Sequence, residues 1–378
     1  MGVDVRRDHS FRIPRPALTE QFGIPNTCNA CHTKQSVRWA EEYVTKWYGK
    51  KGADSLHYAN ALFAGRIGTP DAPDLLARLA GDLNAPVIAR ATALSMLQKF
   101  PDPVAAEAVR RGIIDGEPLL RLGAVRALSV LPAEEQFSQA RYLLSDSLLA
   151  VRVEAAGALA NLPLSSLPTD GRDLMEKAQV EYRSVQEFNA DHPSAHMNLG
   201  NRALRNHDFI TAEAEYRKAI QLEPAFMLTY VNLADLYRVK GEEGKAEQVL
   251  NDALKMNPDF ADAHYALGLL KVRQRKIEQG LSHLEQASIL RPEEPRYMYT
   301  YAVGLNSAGD AARAVSVLEK ALKEHPYNMD ILIALVTIQR DRGKKEEAQR
   351  FAEMLVRYWP SDPSFIQLYQ GLSMGGRR

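Results

Sequence analysis

The sequence predicts an all-α protein, an α-solenoid preceded by an irregular N-terminal segment. Two periodicities predict the solenoid. Prolines recur with a 34-residue period from position 224 to position 360, and with a 31-residue period from position 70 to position 163. Self-similarity at a fixed period of about 20 to 50 residues is the signature of stacked structural repeats. A Cys-x-x-Cys-His motif without a counterpart in either repeat indicates the irregular segment.

Residues 1 to 56 form the predicted N-terminal segment, which holds the only two cysteines of the 378-residue chain. Cys28 and Cys31 lie one helical turn apart, and His32 follows directly. This spacing lets two thiols reach two vinyl groups of one porphyrin while the imidazole reaches the iron, so it predicts one covalent haem c with His32 as proximal ligand. Three alternatives stay open. The first is a structural zinc site, although the chain offers no second pair of ligands at matching spacing. The second is a thioredoxin-like redox pair, although the surroundings do not form a βαβ unit. The third is a chance occurrence.

The stretch "QSVRWAEEYVTKWYG" after the motif predicts an amphipathic helix that ends at Gly49. One face of this helix collects apolar and aromatic side chains, namely Trp39, Ala40, Tyr43, Val44, Trp47 and Tyr48. An aromatic stripe at helical spacing is more often part of a core than of a cofactor pocket. The two interpretations are compatible, because a bound haem needs an apolar wall.

Residues 57 to 163 carry the 31-residue period. The segments "RATALSMLQKFP", "RLGAVRALSVLP" and "RVEAAGALANLP" place arginine, alanine, leucine and proline at matching positions. Apolar residues follow helical spacing within each segment, and a proline ends each helix. The pattern resembles HEAT-type repeats, so we expect a short HEAT-like array.

Residues 164 to 192 are expected to join this array to the next one. The stretch "LPLSSLPTDGRD" is rich in proline, serine and glycine, which favour loops. The following stretch places Ala178 and Tyr182 one 34-residue period before Ala212 and Tyr216. We therefore expect a degenerate half-repeat that acts as a capping helix.

Residues 193 to 362 contain five 34-residue repeats. Small residues recur where two helices must approach closely, at Ala212, Ala246, Gly280, Ala314 and Ala348. Larger side chains recur where they fill the space between helices, at Leu199, Leu233, Leu267, Tyr301 and Leu335. This register resembles the tetratricopeptide repeat family, which implies helix pairs stacked around a concave groove. Residues 363 to 378 are expected to form a C-terminal cap and tail.

The groove is the candidate binding surface of these repeats. The tetratricopeptide family often uses asparagine at the sixth position of a repeat to hold the backbone of a bound peptide, and here Asn198 and Asn232 occupy that position. Arg205 and Arg273 lie at the thirteenth position of the first and third repeats. These four residues predict a groove for a protein or peptide partner, and an ordinary solvated face is the simpler alternative.

Residues 1 to 68 carry a more specific resemblance. The segments "RRDHSFRIPRP", "GIPNTCNACH", "KWYG" and "HYANALFAGRIG", with repeats behind them, resemble the C-terminal portion of bacterial multihaem c-type cytochrome proteins fused to HEAT-like and tetratricopeptide repeats. The resemblance implies haem binding at Cys28, Cys31 and His32. It also implies that the histidine before "SFRIPRP", here His9, ligates a haem iron. His9 is the candidate distal ligand, and His57 is the second candidate.

Charge and composition limit the classes of partner. Lys plus Arg (47) balances Asp plus Glu (47), so nothing indicates a nucleic-acid partner or adhesion to an anionic membrane. No stretch is apolar over the roughly 18 to 20 residues needed to cross a bilayer, and the N-terminus lacks the apolar region of a secretory signal. Haem attachment takes place outside the cytoplasm. We therefore expect a periplasmic protein if the true start lies upstream of Met1, and a cytoplasmic one if Met1 is the start.

The leading hypothesis is that the chain is a haem c electron-transfer module carried on a scaffold of helical repeats. The groove of the scaffold would bind a partner protein, and a redox protein is the candidate for this partner. The alternative is a tetratricopeptide and HEAT interaction scaffold with a vestigial haem motif. Independent catalysis is not indicated, because the chain has no Ser-His-Asp or paired-carboxylate constellation at a workable spacing and no glycine-rich phosphate loop.

Overall fold

The computed structural model describes residues 15–49, 57–162 and 167–374 of the chain. Within these ranges the regular secondary structure is helical, without strands. The helices pack mainly against their neighbours along the chain, as in a solenoid. Among them, none combines the length and the apolar character needed to cross a membrane. The prediction of an all-α solenoid is therefore confirmed.

The N-terminal segment contains three short helices. They are α1 (Ala17–Phe22), α2 (Thr27–Cys31) and α3 (Val37–Tyr48). Helix α1 packs on α3, and the backbone N–H of Ala17 donates to the Glu41 carboxylate at 2.8 Å. Phe22 lies against Phe63 of the following array, with ring centroids 4.5 Å apart. The segment therefore abuts the start of the solenoid.

Residues 57 to 162 form the first array, a two-layer stack of helices. Its helices are α4 (Tyr58–Ile67), α5 (Ala72–Gly81), α6 (Val87–Met96), α7 (Pro103–Ile113), α8 (Pro118–Arg126), α9 (Ala133–Ala140) and α10 (Leu149–Ala158). Helices α4, α6, α8 and α10 pack in one layer, and α5, α7 and α9 form the other. The starts of α6, α8 and α10 follow the 31-residue period, and a short 3₁₀ turn comes after each of these helices. The 31-residue period is thus a period of the structure, and its assignment to the HEAT class stays a prediction.

Small residues allow the helices of one layer to approach closely. A Cβ atom on Gly123 of α8 would lie 2.5 Å from the carbonyl oxygen of Ala91 in α6. The alanines that recur with the 31-residue period, Ala93, Ala124 and Ala155, are fully buried. The recurrence of small residues in the sequence therefore reflects the narrow space between neighbouring helices.

A row of arginines connects successive repeats of the first array. Arg121 in α8 donates to both carboxylate oxygens of Asp146, at 2.6 and 3.0 Å, and to the carbonyl oxygen of Asp115 at 2.9 Å. Arg152 in α10 makes the equivalent pair with Glu181, at 2.7 and 2.6 Å. Hydrogen bonding to Arg121 holds the pKa of Asp146 below its usual range. The arginines that recur in the sequence are therefore the cations of ion pairs that cross from one repeat to the next.

Helix α11 (Thr169–Phe188) connects the two arrays. Met175 and Ala178 are buried in the core of the first array. Near the other end of the helix, Gln186 accepts a hydrogen bond from Asn198 of the second array at 3.1 Å. The helix therefore packs on both arrays along its length, beyond the capping role expected for it.

Residues 193 to 374 form the second array. The first helices of its repeats are α12 (Pro193–Arg205), α14 (Leu228–Val239), α16 (Ala261–Arg273), α18 (Pro295–Ser307) and α20 (Met329–Asp341). The second helices are α13 (Phe209–Leu222), α15 (Glu243–Met256), α17 (Ile277–Leu290), α19 (Ala311–Glu324) and α21 (Lys345–Tyr358). The starts of the second helices follow the 34-residue period, and α22 (Pro363–Met374) packs on α21 at the end.

The turn between the two helices of each repeat has a left-handed backbone at one repeated position. The φ angle is 58° at His207, 75° at Gly241, 61° at Arg275, 91° at Gly309 and 75° at Gly343. Glycine adopts this conformation without steric cost, whereas a residue with a Cβ atom is strained there. The first and third repeats therefore keep a side chain at a position that favours glycine.

Candidate functional site

The cysteine motif lies on a single turn of helix at the surface. Both cysteines are free thiols; Cys28 is half-buried, Cys31 is exposed, and the exposed His32 follows them. Asn26 caps this turn, because its side chain accepts the backbone N–H of Asn29 at 3.0 Å and donates to a threonine of α1 at 2.9 Å. The cap fixes the turn that presents the two thiols.

An aromatic row continues from the motif along α3. Ring centroids are 4.9 Å apart for His32 and Trp39, 5.0 Å for Trp39 and Tyr43, and 5.5 Å for Tyr43 and Trp47. Trp47 is 65% exposed, and Ala40 is the buried residue of this helix. The expectation that the stripe belongs to a core is therefore wrong for Tyr43, Trp47 and Tyr48, which are exposed, whereas Trp39 is half-buried.

The candidate distal ligands are His9 and His57. His9 lies outside the described residues. His57 caps α4, since its Nδ1 accepts the backbone N–H of Ala59 at 3.2 Å, and its ring centroid lies 4.0 Å from that of Tyr58. In the ranges that the structure describes, no group of three or more His, Cys, Asp or Glu side chains is placed to hold a metal ion. A haem needs no such group, because porphyrin nitrogens and axial ligands hold its iron.

The residues of the motif fit a covalently attached haem. Attachment needs two reachable thiols one helical turn apart, and Cys28 and Cys31 provide them. An imidazole must follow on the same segment, as His32 does. The aromatic row beside His32, which is half-buried at Trp39 and exposed from Tyr43 onward, is the kind of apolar surface on which a porphyrin packs.

The inner surface of the second array is formed by the first helices of its repeats. Helix α12 packs on α14, α14 on α16, and α18 on α20, in addition to the packing within each repeat. Contacts between successive first helices bring them together along the concave side of the stack. A partner that lies in the groove therefore meets side chains of these helices.

Three asparagine side chains follow one another on this inner surface. The Asn198 amide donates to Gln186 of α11 at 3.1 Å, and the Asn232 amide donates to Asn201 at 3.0 Å. Asn201 also accepts the hydroxyl of Tyr216 at 2.8 Å. Asn201 lies outside the predicted set, although its spacing of three residues from Asn198 places both on one helix face.

The two predicted arginines have different surroundings. Arg205 at the end of α12 is exposed, whereas Arg273 at the end of α16 lies 3.6 Å from the Glu243 carboxylate. They are two repeats apart, so they belong to different parts of the groove. A third arginine, Arg202, was not predicted from the sequence. It is buried beside Tyr182 of α11, where the second array begins.

A histidine pair lies between the two helices of the third repeat. The Nδ1 atoms of His264 and His283 are 3.0 Å apart, and His264 Nε2 lies 2.9 Å from the carbonyl oxygen of Pro258. Because a carbonyl only accepts, His264 carries its proton on Nε2 and accepts the Nδ1–H of His283. Burial lowers the pKa of His283, and the neighbouring His264 lowers it further. The pair therefore suits a neutral imidazole at His283.

Comparison with known proteins identifies the repeats of the second array. A family model for the tetratricopeptide repeat matches residues 203–270 and 305–371, and a second tetratricopeptide repeat model matches residues 265–328. The chain therefore contains tetratricopeptide repeats, as its 34-residue period predicts. The matched residues begin at position 203, so the resemblance of residues 1 to 68 to multihaem cytochromes stays a prediction.

Relatives share part of this chain and are much longer. Protein O-mannosyl-transferase TMTC3 of Homo sapiens is 21% identical over 172 residues, which cover 44% of this chain and 19% of that protein. Tetratricopeptide repeat protein 21A of Mus musculus is 28% identical over 173 residues, which cover 39% of this chain and 13% of that protein. The chain thus spans less than a fifth of the length of these two relatives.

Solved structures of other repeat proteins align with about half of the chain. YrrB, a TPR protein with an unusual peptide-binding site, is 19% identical and gives a TM-score of 0.37. The alignment covers 50% of this chain and 96% of YrrB.

Proposed function

We propose that this chain is a protein-interaction scaffold whose tetratricopeptide array holds an extended segment of a partner protein on its inner helices. The observation that carries the proposal is the row of side-chain amides formed by Asn198, Asn201 and Asn232. A side-chain amide offers both a donor and an acceptor, which are the two groups that a peptide backbone must satisfy. Stacked repeats extend such a surface over several residues of a bound chain.

The amide row is held in place before a partner arrives. Asn201 accepts from both Asn232 and Tyr216, which fixes its carbonyl oxygen and orients the Asn232 amide. Among the described residues, the side-chain oxygen of Asn232 has no hydrogen-bond partner. A peptide N–H can therefore donate to Asn232 without the loss of an internal hydrogen bond, and little side-chain ordering opposes binding.

Selection from a displayed library of random linear peptides against the full chain tests this proposal. Selected peptides are expected to lose about tenfold in affinity for Asn232→Ala, which removes about one hydrogen bond to a fixed amide. Gln248→Ala, an exposed position on the outer helix α15, is the matched control and is expected to bind like the wild type. Peptides that bind Asn232→Ala as tightly as the wild type would contradict the inner surface as the binding site.

We also propose that the N-terminal segment is a haem c electron-transfer module, which the repeats dock to a redox partner. The exposed turn that carries Cys28 and Cys31, the adjacent His32 and the aromatic row that ends at Trp47 support this second role. When bound, haem supplies an iron that takes up and releases single electrons. The two thiols would hold the porphyrin, and His32 would ligate the iron. The distal ligand and a periplasmic location belong to the same proposal.

Periplasmic expression together with a cytochrome c maturation system tests the haem module. The chain is expected to keep its haem after denaturation, seen as haem stain on a denaturing gel and as a mass increase of one haem. The double variant Cys28→Ser, Cys31→Ser is expected to keep the helical content and to lose the stain. If the wild-type chain stays unstained while a control cytochrome matures, the motif is vestigial and the scaffold proposal stands without it.

A further inference from the structure

We infer that the histidine pair of the third repeat, His264 and His283, is a binding site for a divalent transition-metal ion such as Zn²⁺. The two Nδ1 atoms hold the ion, one from each helix of the repeat. Water, or a ligand that enters through the adjacent cavity, takes the remaining positions around the ion. The inference goes beyond the proposed scaffold and haem functions and does not depend on either.

The pair occupies two repeat positions that hold apolar or aromatic residues in three of the five repeats. In the second, fourth and fifth repeats, the fourth position holds Tyr230, Met298 and Leu332, and the twenty-third position holds Val249, Val317 and Phe351. The first repeat has His196 and Glu215 there, with His196 Nδ1 2.6 Å from the carboxylate. In this array a histidine at the fourth position therefore faces a second side chain that can ligate a metal ion.

His264 has the orientation that is typical of metal-bound histidines. Its Nε2 donates to the carbonyl oxygen of Pro258 at 2.9 Å, which leaves the lone pair of Nδ1 for a ligand. Metal-ligating imidazoles almost always donate their other N–H to a carbonyl or a carboxylate, because this bond fixes the ring and its tautomer. His196 Nε2 lies 3.0 Å from the carbonyl oxygen of Ala190 in the same way. The anchoring bond thus belongs to the repeat and is in place before an ion binds.

The separation of the two rings fits a tetrahedral ion. Bonds of about 2.0 to 2.1 Å to a tetrahedral ion place two imidazole nitrogens about 3.3 Å apart and their ring centroids about 5.2 Å apart. In the pair, the Nδ1 atoms are 3.0 Å apart and the centroids are 5.2 Å apart. A tilt of the two rings therefore admits the ion without a change in the distance between α16 and α17.

The proton between the rings can give way to the ion without leaving the pair. His283 donates its Nδ1–H to His264, and its own Nε2 has no hydrogen-bond partner among the described residues. When this proton moves to Nε2 of His283, both Nδ1 lone pairs are free for the ion, and no proton is released. Two neutral imidazoles favour Zn²⁺, Cu²⁺ or Ni²⁺ over Mg²⁺ and Ca²⁺, which prefer oxygen ligands.

An open cavity gives the ion access to the pair. It has a volume of about 460 Å³, and His283, Glu247 and Glu278 are among the residues that line it. The two carboxylates attract a cation, although Glu247 is bound to Lys271 at 2.6 Å. Within the described residues no third His, Cys, Asp or Glu completes a metal site with the pair. The ion therefore keeps positions that are open to water or to a ligand from the cavity.

Calorimetric titration with Zn²⁺ tests the site on the full chain carrying Cys28→Ser and Cys31→Ser, since the two thiols would otherwise bind the ion. This parent chain is expected to bind one Zn²⁺ and not to bind Mg²⁺. Adding His264→Tyr and His283→Val reproduces the residues of the second repeat, which pack in its core. This variant is expected to fold and to bind Zn²⁺ at least about tenfold more weakly.

Electron paramagnetic resonance with one equivalent of Cu²⁺ counts the nitrogen ligands directly. The parent chain is expected to show coupling to two imidazole nitrogens, and the His264→Tyr, His283→Val variant is expected to lose it. His325→Gln is the matched control, because His325 is a single histidine whose Nε2 lies 2.8 Å from the carbonyl oxygen of Pro292. It is expected to behave like the parent chain in both measurements.

Three results would overturn the inference. They are a parent chain that does not bind Zn²⁺, a His264→Tyr, His283→Val variant that binds it unchanged, and a Cu²⁺ spectrum that is the same in both chains. If this variant fails to fold, His283→Glu replaces it, because it reproduces the histidine–carboxylate pair of the first repeat. Its Cu²⁺ spectrum is then expected to show one nitrogen fewer than that of the parent chain, and an unchanged spectrum would overturn the inference.

Discussion

Removal of the Arg121 side chain is expected to destabilise the first array strongly. Its guanidinium binds both carboxylate oxygens of Asp146, and the two side chains are only 14% and 6% exposed. It also donates to the carbonyl oxygens of Asp115 and Gly116, at 2.9 and 3.1 Å. Arg121→Ala therefore leaves a buried carboxylate and two carbonyl groups without this donor.

The magnitude follows from burial and from the contacts that remain. Removing one partner of a buried ion pair costs roughly 3 to 5 kcal/mol. Asp146 keeps the backbone N–H of Leu148 at 2.9 Å and the nearby charge of Arg152, so we expect the lower end, about 3 kcal/mol. Arg126 and Glu154 provide the contrast, because they lie 3.0 Å apart with side chains 50% and 37% exposed. Arg126→Ala is expected to lower the free energy of unfolding by less than about 1 kcal/mol.

Urea unfolding followed by circular dichroism measures the free energy of unfolding of both variants. Repeat arrays can unfold in more than one step. Hydrogen exchange of α8 and α10 therefore serves to locate the loss in the first array. The arginine row would not hold successive repeats together if Arg121→Ala lowered the free energy of unfolding by no more than Arg126→Ala does.

Three further changes test other parts of the chain. Arg275→Gly relieves the strain of the left-handed backbone at φ 61°. It is expected to raise the free energy of unfolding, measured in urea, by roughly 0.5 to 1 kcal/mol. A similar gain for Arg275→Ala would contradict this explanation. Gly123→Ala places a methyl group 2.5 Å from the carbonyl oxygen of Ala91. We expect a lower melting temperature and a loss of roughly 1 to 3 kcal/mol in the free energy of unfolding. An unchanged melting temperature would disprove the close approach of α8 to α6. Because folding lowers the pKa of His283, the folded state disfavours its protonation, and stability is expected to fall as the pH drops below the ordinary histidine value of about 6.5. His283→Gln, with His264 kept, should weaken this pH dependence, and identical profiles for the two proteins would count against it.

The repeat architecture is visible in the sequence because its requirements are local. A helix pair needs a small residue where its helices cross, and residues such as Ala212 and Ala246 are accordingly buried at the same position of successive repeats. The chain must also turn between the helices, so Gly241, Gly309 and Gly343 recur in the same register. Requirements of this kind recur in every repeat and are therefore visible as a period.

The candidate sites are less visible because they depend on contacts between distant residues. His264 gains its significance from His283, whose Nδ1 atom lies 3.0 Å away although the residue belongs to another helix. Asn201 is fixed by Asn232, which belongs to the next repeat. The exposure of Trp47 depends on how little of α3 its neighbouring helices cover, which helical spacing cannot indicate.

Site-specific photo-crosslinking tests most directly the central claim that the inner helices of the second array hold a partner segment. A benzophenone amino acid is placed either at Asp235 or at Gln248, both exposed. Asp235 lies one repeat after Asn201 on the inner helix α14, and Gln248 lies on the outer helix α15. A peptide selected on the full chain is expected to crosslink from position 235 and not from position 248. Crosslinking from position 248 alone, or equally from both positions, would contradict the account.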